Sequence, residues 1–191
     1  MIIIDNVEYE KVLFISIPKT ASFSILISLK NKGLDNWQRF GVGNHDPYFM
    51  LIRNNHIDDK VFKFSVVRNP FTRTYSYFKH FNDKNNLNFS FKQFLQYVYD
   101  NNDYLNVRTK FVFYNQSYFI YYQDKLAVDK LYRFEELDIL KKDLNINLGN
   151  CNIGNYSIDE YYKDYDKEAI EIVKHMYKED FINFNYSTDF I

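Results

Sequence analysis

Hydrophobic and polar positions along the chain switch between two periods. Short runs of aliphatic and aromatic residues at 2–4, 11–17 and 61–67 have the length and composition of strands buried in a sheet. Between and after them, apolar residues recur at helical spacing. Ile25, Leu26 and Leu29 mark a helix over 22–30, and further helices are expected at 46–54, 70–81, 90–99 and 135–144. The punctuation agrees with these limits. Asp5-Asn6 reads as a turn, Asp46-Pro47 and Pro70 as helix starts, and Ser90 and Asp166 as N-caps. Ser157 and Glu160 have the spacing of a capping box. A late strand is expected at 126–132, and a last helix after Asp166 carries Ala169, Ile172, Val173 and Met176 on one face. Segments 33–43, with Trp37, and 82–88 and 145–156 read as loops, whereas 101–115 has no assignable period. No repeat or linker interrupts the chain, so 1–191 reads as one domain. Strands alternating with helices predict an α/β fold: a central parallel sheet flanked by helices on both faces, with any ligand at the carboxyl ends of the strands.

Two of those strand ends carry polar chemistry. The run VLFISI passes through Pro18 into Lys19, Thr20, Ala21, Ser22, Phe23 and Ser24, and the run VFKFSVV ends in Arg68-Asn69-Pro70, with Ser76 on the following helix. A strand that feeds a helix N-terminus through small polar residues presents backbone N–H groups and a positive dipole end to an anion. Two such devices in 191 residues point to a ligand with two separate anionic groups.

Composition narrows the setting. Lys+Arg 24 against Asp+Glu 25 leaves a formal net charge of -1, so a nucleic-acid backbone is not expected as a partner and anion binding must come from a few aimed cations. The 46% hydrophobic content supports a folded core, and the 20% aromatic share is spread over every predicted element and reads as compositional bias. Cys151 is the single cysteine, which excludes an internal disulfide and fits a reducing compartment. No apolar run approaches a membrane span, and MIIIDNVEYEK lacks the basic and apolar regions of a signal peptide, so a cytoplasmic location is expected.

The stretch PKTASFS resembles the 5′-phosphosulfate loop of the carbohydrate sulfotransferases that use 3′-phosphoadenosine 5′-phosphosulfate (PAPS), whose usual form is close to PKTAGTS. VVRNPFTRTYSYF resembles the 3′-phosphate motif of the same family, and the similarity continues through DKLAVDKLYRFEEL and the C-terminal YYKDYDKEAIEIVKHMYKEDFINFNY. The resemblance implies a P-loop-like sheet, PAPS as co-substrate, no metal, and a hydroxyl acceptor, with a sugar favoured over tyrosine or a small alcohol. It implies that Lys19 meets the leaving oxygen, that residues 20–24 hold the 5′-phosphate through their backbone, and that Arg68 and Ser76 hold the 3′-phosphate. It also implies that His45, ahead of a short helix, is the base, with His80 in reserve; His56 and His175 read as surface residues. This chain departs from the family pattern at Ser22, where Gly is common, and at Phe23, where Thr is usual. Phe23 removes a hydroxyl and adds bulk but keeps its N–H.

Arg73 either supports the phosphate or pairs with a carboxylate, and Arg133 either reaches the cofactor or pairs with Glu135 or Glu136. Two other functions remain. A nucleotide kinase of related architecture would need a Gly-x-x-x-x-Gly-Lys-Ser/Thr loop and a magnesium-binding Asp where Arg68 stands. A non-catalytic nucleotide-binding module would keep the loop and lack turnover. No Cys/His cluster has metal-ligand spacing.

Overall fold

The computed structural model describes residues 2–34, 45–53, 60–101, 113–149 and 157–190. Trp37, His56 and Cys151 lie outside the described residues. The chain is mixed α/β and divides into two compact units, Met1–Arg68 with Gln116–Asn152, and Asn69–Asn115 with Ile153–Ile191.

The first unit opens on an antiparallel hairpin of β1 (Ile2–Ile4) and β2 (Val7–Tyr9). Asp5 and Asn6 both take positive φ, 50 and 66, as the tight turn requires; Asp and Asn tolerate this region better than most side chains. The sequence alone predicts no strand at Val7–Tyr9, because Glu8 interrupts what would otherwise be an apolar run like that at 2–4. Next comes β3 (Lys11–Ile15), which ends two residues earlier than expected and leaves Ser16 and Ile17 in the loop that leads to α1 (Ser22–Asn31). The short α2 (Tyr48–Arg53) follows. Its first helical bonds go to the Pro47 carbonyl, so the helix starts one residue later than an Asp46 N-cap would set it.

The central strand β4 (Val61–Val67) pairs in parallel with β3 and, on its other side, with β7 (Lys130–Arg133), giving a three-stranded parallel sheet of order β3-β4-β7. Val61, Phe62, Phe64, Ser65, Val66 and Val67 are all buried, so both faces of β4 are shielded from water, as a parallel strand requires. On one face Phe14, Phe62, Phe64 and Tyr132 pack as an aromatic ladder, with Phe14 and Phe64 stacked at 4.9 Å. Ile25 and Leu29 of α1 close over this ladder, as do Leu140 and Leu144 of a helix at Leu137–Leu144.

Before β7 the chain makes a short helix (Ser117–Ile120) and a small hairpin of β5 (Tyr121–Tyr122) with β6 (Lys125–Leu126). The expected strand at 126–132 is therefore divided: its start belongs to the hairpin and only its end joins the parallel sheet. Gln123 and Asp124 turn the hairpin at φ 52 and 60.

The second unit is helical. Its α3 (Pro70–Asn85) and α4 (Phe91–Asn101) are followed by helices at Ile158–Asp164, Lys167–Met176 and Lys178–Asn183. Local chemistry sets the helix starts. The Asn69 side chain accepts from the Phe71 N–H, Ser90 and Gln93 cap each other's backbone, Ser157 and Glu160 form a full capping box, and Asp166 accepts from the Ala169 N–H. Phe71, Tyr75 and Phe78 line one stripe of α3, beside Thr74, Tyr77 and Phe81. With Phe91, Phe94 and Tyr165 they form a core built largely of rings. Much of the aromatic richness of the sequence is spent in this core.

Candidate functional site

β3 and β4 run parallel, and Ile15 stands opposite Ser65 in the register. The two polar strand exits therefore leave the same edge of the sheet. The Ser65 hydroxyl donates to the Ile15 carbonyl at 2.7 Å, both residues being buried, and ties the strands together one step before the loops begin.

The loop after β3 is built from within. Thr20 and Ser22 both donate their hydroxyls to the Ile17 carbonyl, at 2.9 and 2.5 Å, and both side chains are buried. These hydroxyls brace the loop, so the groups it can turn towards a ligand are backbone N–H groups. Lys19 and Ala21 take positive φ, 68 and 63, on either side of Thr20. For an L-residue this conformation costs about 1–2 kcal/mol, and such strain collects where a backbone is held for a purpose. Ala21 is the N-cap of α1 and no side chain caps that helix. Its first N–H groups, from Ser22 to Ser24, have no acceptor within the helix. A loop with left-handed residues beside a helix N-terminus free of side-chain caps is an arrangement that receives anions. Phe23 is exposed, so its ring points away from the core.

Arg68 closes the site from β4. It is buried, and its Nη1 donates to the Lys19 carbonyl at 3.2 Å. The guanidinium carbon lies 4.0 Å from the centre of the Phe134 ring, a cation–π contact with the residue that follows β7. The loop after β3, the end of β4 and the residue after β7 thus meet at this one guanidinium. Its backbone is held by Gln116, a completely buried side chain: Oε1 accepts from the Arg68 N–H at 2.8 Å and Nε2 donates to the Arg68 carbonyl at 2.9 Å. Sequence reasoning misses Gln116, which closes a stretch with no period and finds its partner far away along the chain.

His45 is half-buried, and its Nδ1 lies 3.0 Å from both the carbonyl oxygen and the hydroxyl of Ser16. A carbonyl oxygen only accepts, so Nδ1 donates to it, and in the neutral ring the lone pair sits on Nε2. The histidine is therefore anchored to the same strand exit that carries Lys19, three residues further on.

Four other expected residues belong to the second unit. Ser76 is on α3 in the second unit, half-buried and off the apolar stripe of its helix. Arg73 is buried in that unit's core: its Nη1 donates to the Tyr114 carbonyl at 3.2 Å, stands 3.8 Å from the Asp180 carboxylate, and the guanidinium lies over the Tyr177 ring. Of the two roles open to Arg73, the structure shows the carboxylate partner. Burial also pushes the neighbouring Tyr177 hydroxyl above the ordinary phenol range. His80 and His175 are exposed on helices of the second unit. Arg133 ends β7, half-buried, beside the Phe134 that supports Arg68. Among the described residues no group of three His, Cys, Asp or Glu side chains is placed to hold a metal ion, and no helix is long and apolar enough to cross a membrane.

Comparison with protein-family models, with curated proteins and with solved structures finds no match to this chain.

Proposed function

We propose that the protein is a sulfotransferase of P-loop-like architecture, with helices on both faces of its sheet, that moves a sulfuryl group from PAPS to an acceptor hydroxyl, with a carbohydrate as the favoured acceptor class. The observation that carries this reading is the hydrogen bond from Arg68 to the Lys19 carbonyl, which brings the ends of the two anion-binding motifs within one contact. PAPS has a 5′-phosphosulfate and a 3′-phosphate, the two-anion ligand that the sequence calls for.

In this reading the N–H groups of residues 20–24 hold the 5′-phosphate, and Arg68 holds the 3′-phosphate. Ser76's part in the 3′-phosphate contact rests on its motif alone. PAPS supplies an activated sulfur. The acceptor oxygen bonds to it as the bond from sulfur to the 5′-phosphate oxygen breaks, giving a sulfate ester and 3′,5′-adenosine bisphosphate. His45 takes the acceptor's proton on Nε2, with Nδ1 fixed on Ser16. Lys19 meets the negative charge that grows on the leaving oxygen, where a compact ammonium does more in the transition state than in the bound ground state.

The test is incubation with PAPS and a panel of sugars, phenols and small alcohols, following release of 3′,5′-adenosine bisphosphate. Acceptor-dependent release, strongest with a sugar, is expected. Release that no acceptor accelerates, together with magnesium-dependent ATP turnover, overturns the reading in favour of a nucleotide kinase.

A further inference from the structure

We propose that Gln116 is the positioning residue of the 3′-phosphate contact, setting the direction in which Arg68 leaves the sheet and thereby the preference for a 3′-phosphorylated nucleotide. This inference rests on the PAPS reading above.

The ladder on β3 ends at Ile15, opposite Ser65, and the ladder on β7 ends with Arg133 opposite Val67. Arg68 is the first residue beyond both, and it is buried, so its N–H and C=O each need a partner. The Gln116 amide is a partner to both, its Oε1 accepting from the N–H and its Nε2 donating to the carbonyl. A single side chain thus fixes the backbone on both sides of the Arg68 Cα, and with it the Cα–Cβ direction. The far end of the side chain is held by Phe134 and by the Lys19 carbonyl. A bidentate phosphate contact is lost by angstrom-scale displacement, so a guanidinium restrained at both ends is worth more than one restrained only at its head.

Burying a carboxamide is costly, and an apolar residue would fill the space more cheaply if packing were its only duty. A closing role for the chain is the competing explanation, because 69–115 leaves the first unit after Arg68 and returns at Gln116. The two roles differ in what they do to ligand selectivity. A structural clasp alters stability and leaves the ratio of affinities for two nucleotides unchanged. A positioning residue alters the affinity for the ligand that Arg68 reads and spares the one it does not.

The experiment is calorimetric titration of the full chain with 3′,5′-adenosine bisphosphate and with 5′-AMP, which lacks the 3′-phosphate, for the wild type, Gln116→Met and Arg68→Ala. Gln116→Met keeps length and volume and removes both hydrogen bonds. It is expected to weaken bisphosphate binding about tenfold or more and to change 5′-AMP binding by less than about twofold. The double variant is expected to bind no more weakly than Arg68→Ala, since both changes act on one contact. Gln116→Glu, which keeps the acceptor and loses the donor, takes over the comparison if the methionine variant does not fold. Equal loss for both nucleotides, or an unchanged ratio, overturns the positioning role and leaves the sulfotransferase reading intact. A wild type that binds the two nucleotides equally overturns the 3′-site itself.

Discussion

Arg68→Ala separates the structural part of the site from its ligand-binding part, and the two effects can be sized in advance. Without ligand, the variant loses a charged hydrogen bond to the Lys19 carbonyl and the contact with the Phe134 ring. Such a bond is worth about 1.5–3 kcal/mol and a cation–π contact about 0.5–2 kcal/mol, against roughly 2 kcal/mol of arginine rotamer entropy released. The net cost is about 0–3 kcal/mol, a fall in Tm of at most roughly 12 °C for a chain of this size. The protein stays folded, because the aromatic ladder of the sheet is untouched. With ligand, saturation at 100 times Kd stabilises the wild type by about 2.7 kcal/mol, or roughly 5–10 °C. Loss of a bidentate phosphate contact weakens binding by about 10–100-fold. At the same ligand concentration the stabilisation then shrinks to about 0.4–1.4 kcal/mol, a rise of roughly 1–5 °C. The assay is thermal unfolding with and without 3′,5′-adenosine bisphosphate. A variant that melts earlier yet keeps the whole ligand-induced rise makes Arg68 a structural arginine and removes the 3′-phosphate assignment.

Three further outcomes are expected at Lys19, His45 and Ala21. Lys19→Ala is expected to cut kcat by about 10²–10³-fold while bisphosphate affinity holds, since in the proposed reaction its partner is transition-state charge; initial rates and titration together check this, and a loss confined to affinity makes Lys19 a binding residue only. His45→Ala is expected to lower the rate by about 10²–10⁴-fold and to abolish the acidic limb of the rate profile; a retained limb moves the base elsewhere. Ala21→Gly relieves a left-handed alanine at a cost of about 0.5–1 kcal/mol in chain entropy, so urea unfolding should show it neutral to about 1.5 kcal/mol more stable; a clear loss of stability contradicts the strain at Ala21.

What the sequence discloses is mostly local. The N-caps at Ser90, Ser157 and Asp166 stand where their spacing puts them, because each cap reaches only three residues along the chain. The strand at 61–67 is legible because both its faces are buried and every second residue need not be polar. Parallel pairing of β3 with β4 follows from the helix between them. The division of 126–132 is not legible, since the turn at Gln123-Asp124 lacks the glycine that marks such hairpins. Within the site, sequence identifies which residues stand at the strand exits but not how they are held. The inward turn of the Thr20 and Ser22 hydroxyls depends on the Ile17 carbonyl, and the anchoring of His45 depends on Ser16, which precedes it by 29 residues. Arg73 looks like a ligand residue by its place in the motif, and only the three-dimensional neighbourhood of Asp180 and Tyr177 shows what it meets. Gln116 is the extreme case: nothing near it in the chain hints at Arg68.

The most direct test of the central claim is a comparative titration of the wild-type chain with 3′,5′-adenosine bisphosphate, 5′-AMP and ATP with magnesium, under one buffer and salt condition. A site with one anion cradle after β3 and a second cation at the end of β4 should bind the bisphosphate about 10–100-fold more tightly than 5′-AMP, with magnesium giving ATP no advantage. Tighter binding of magnesium-ATP than of the bisphosphate contradicts the account, and so does the absence of binding by any adenine nucleotide.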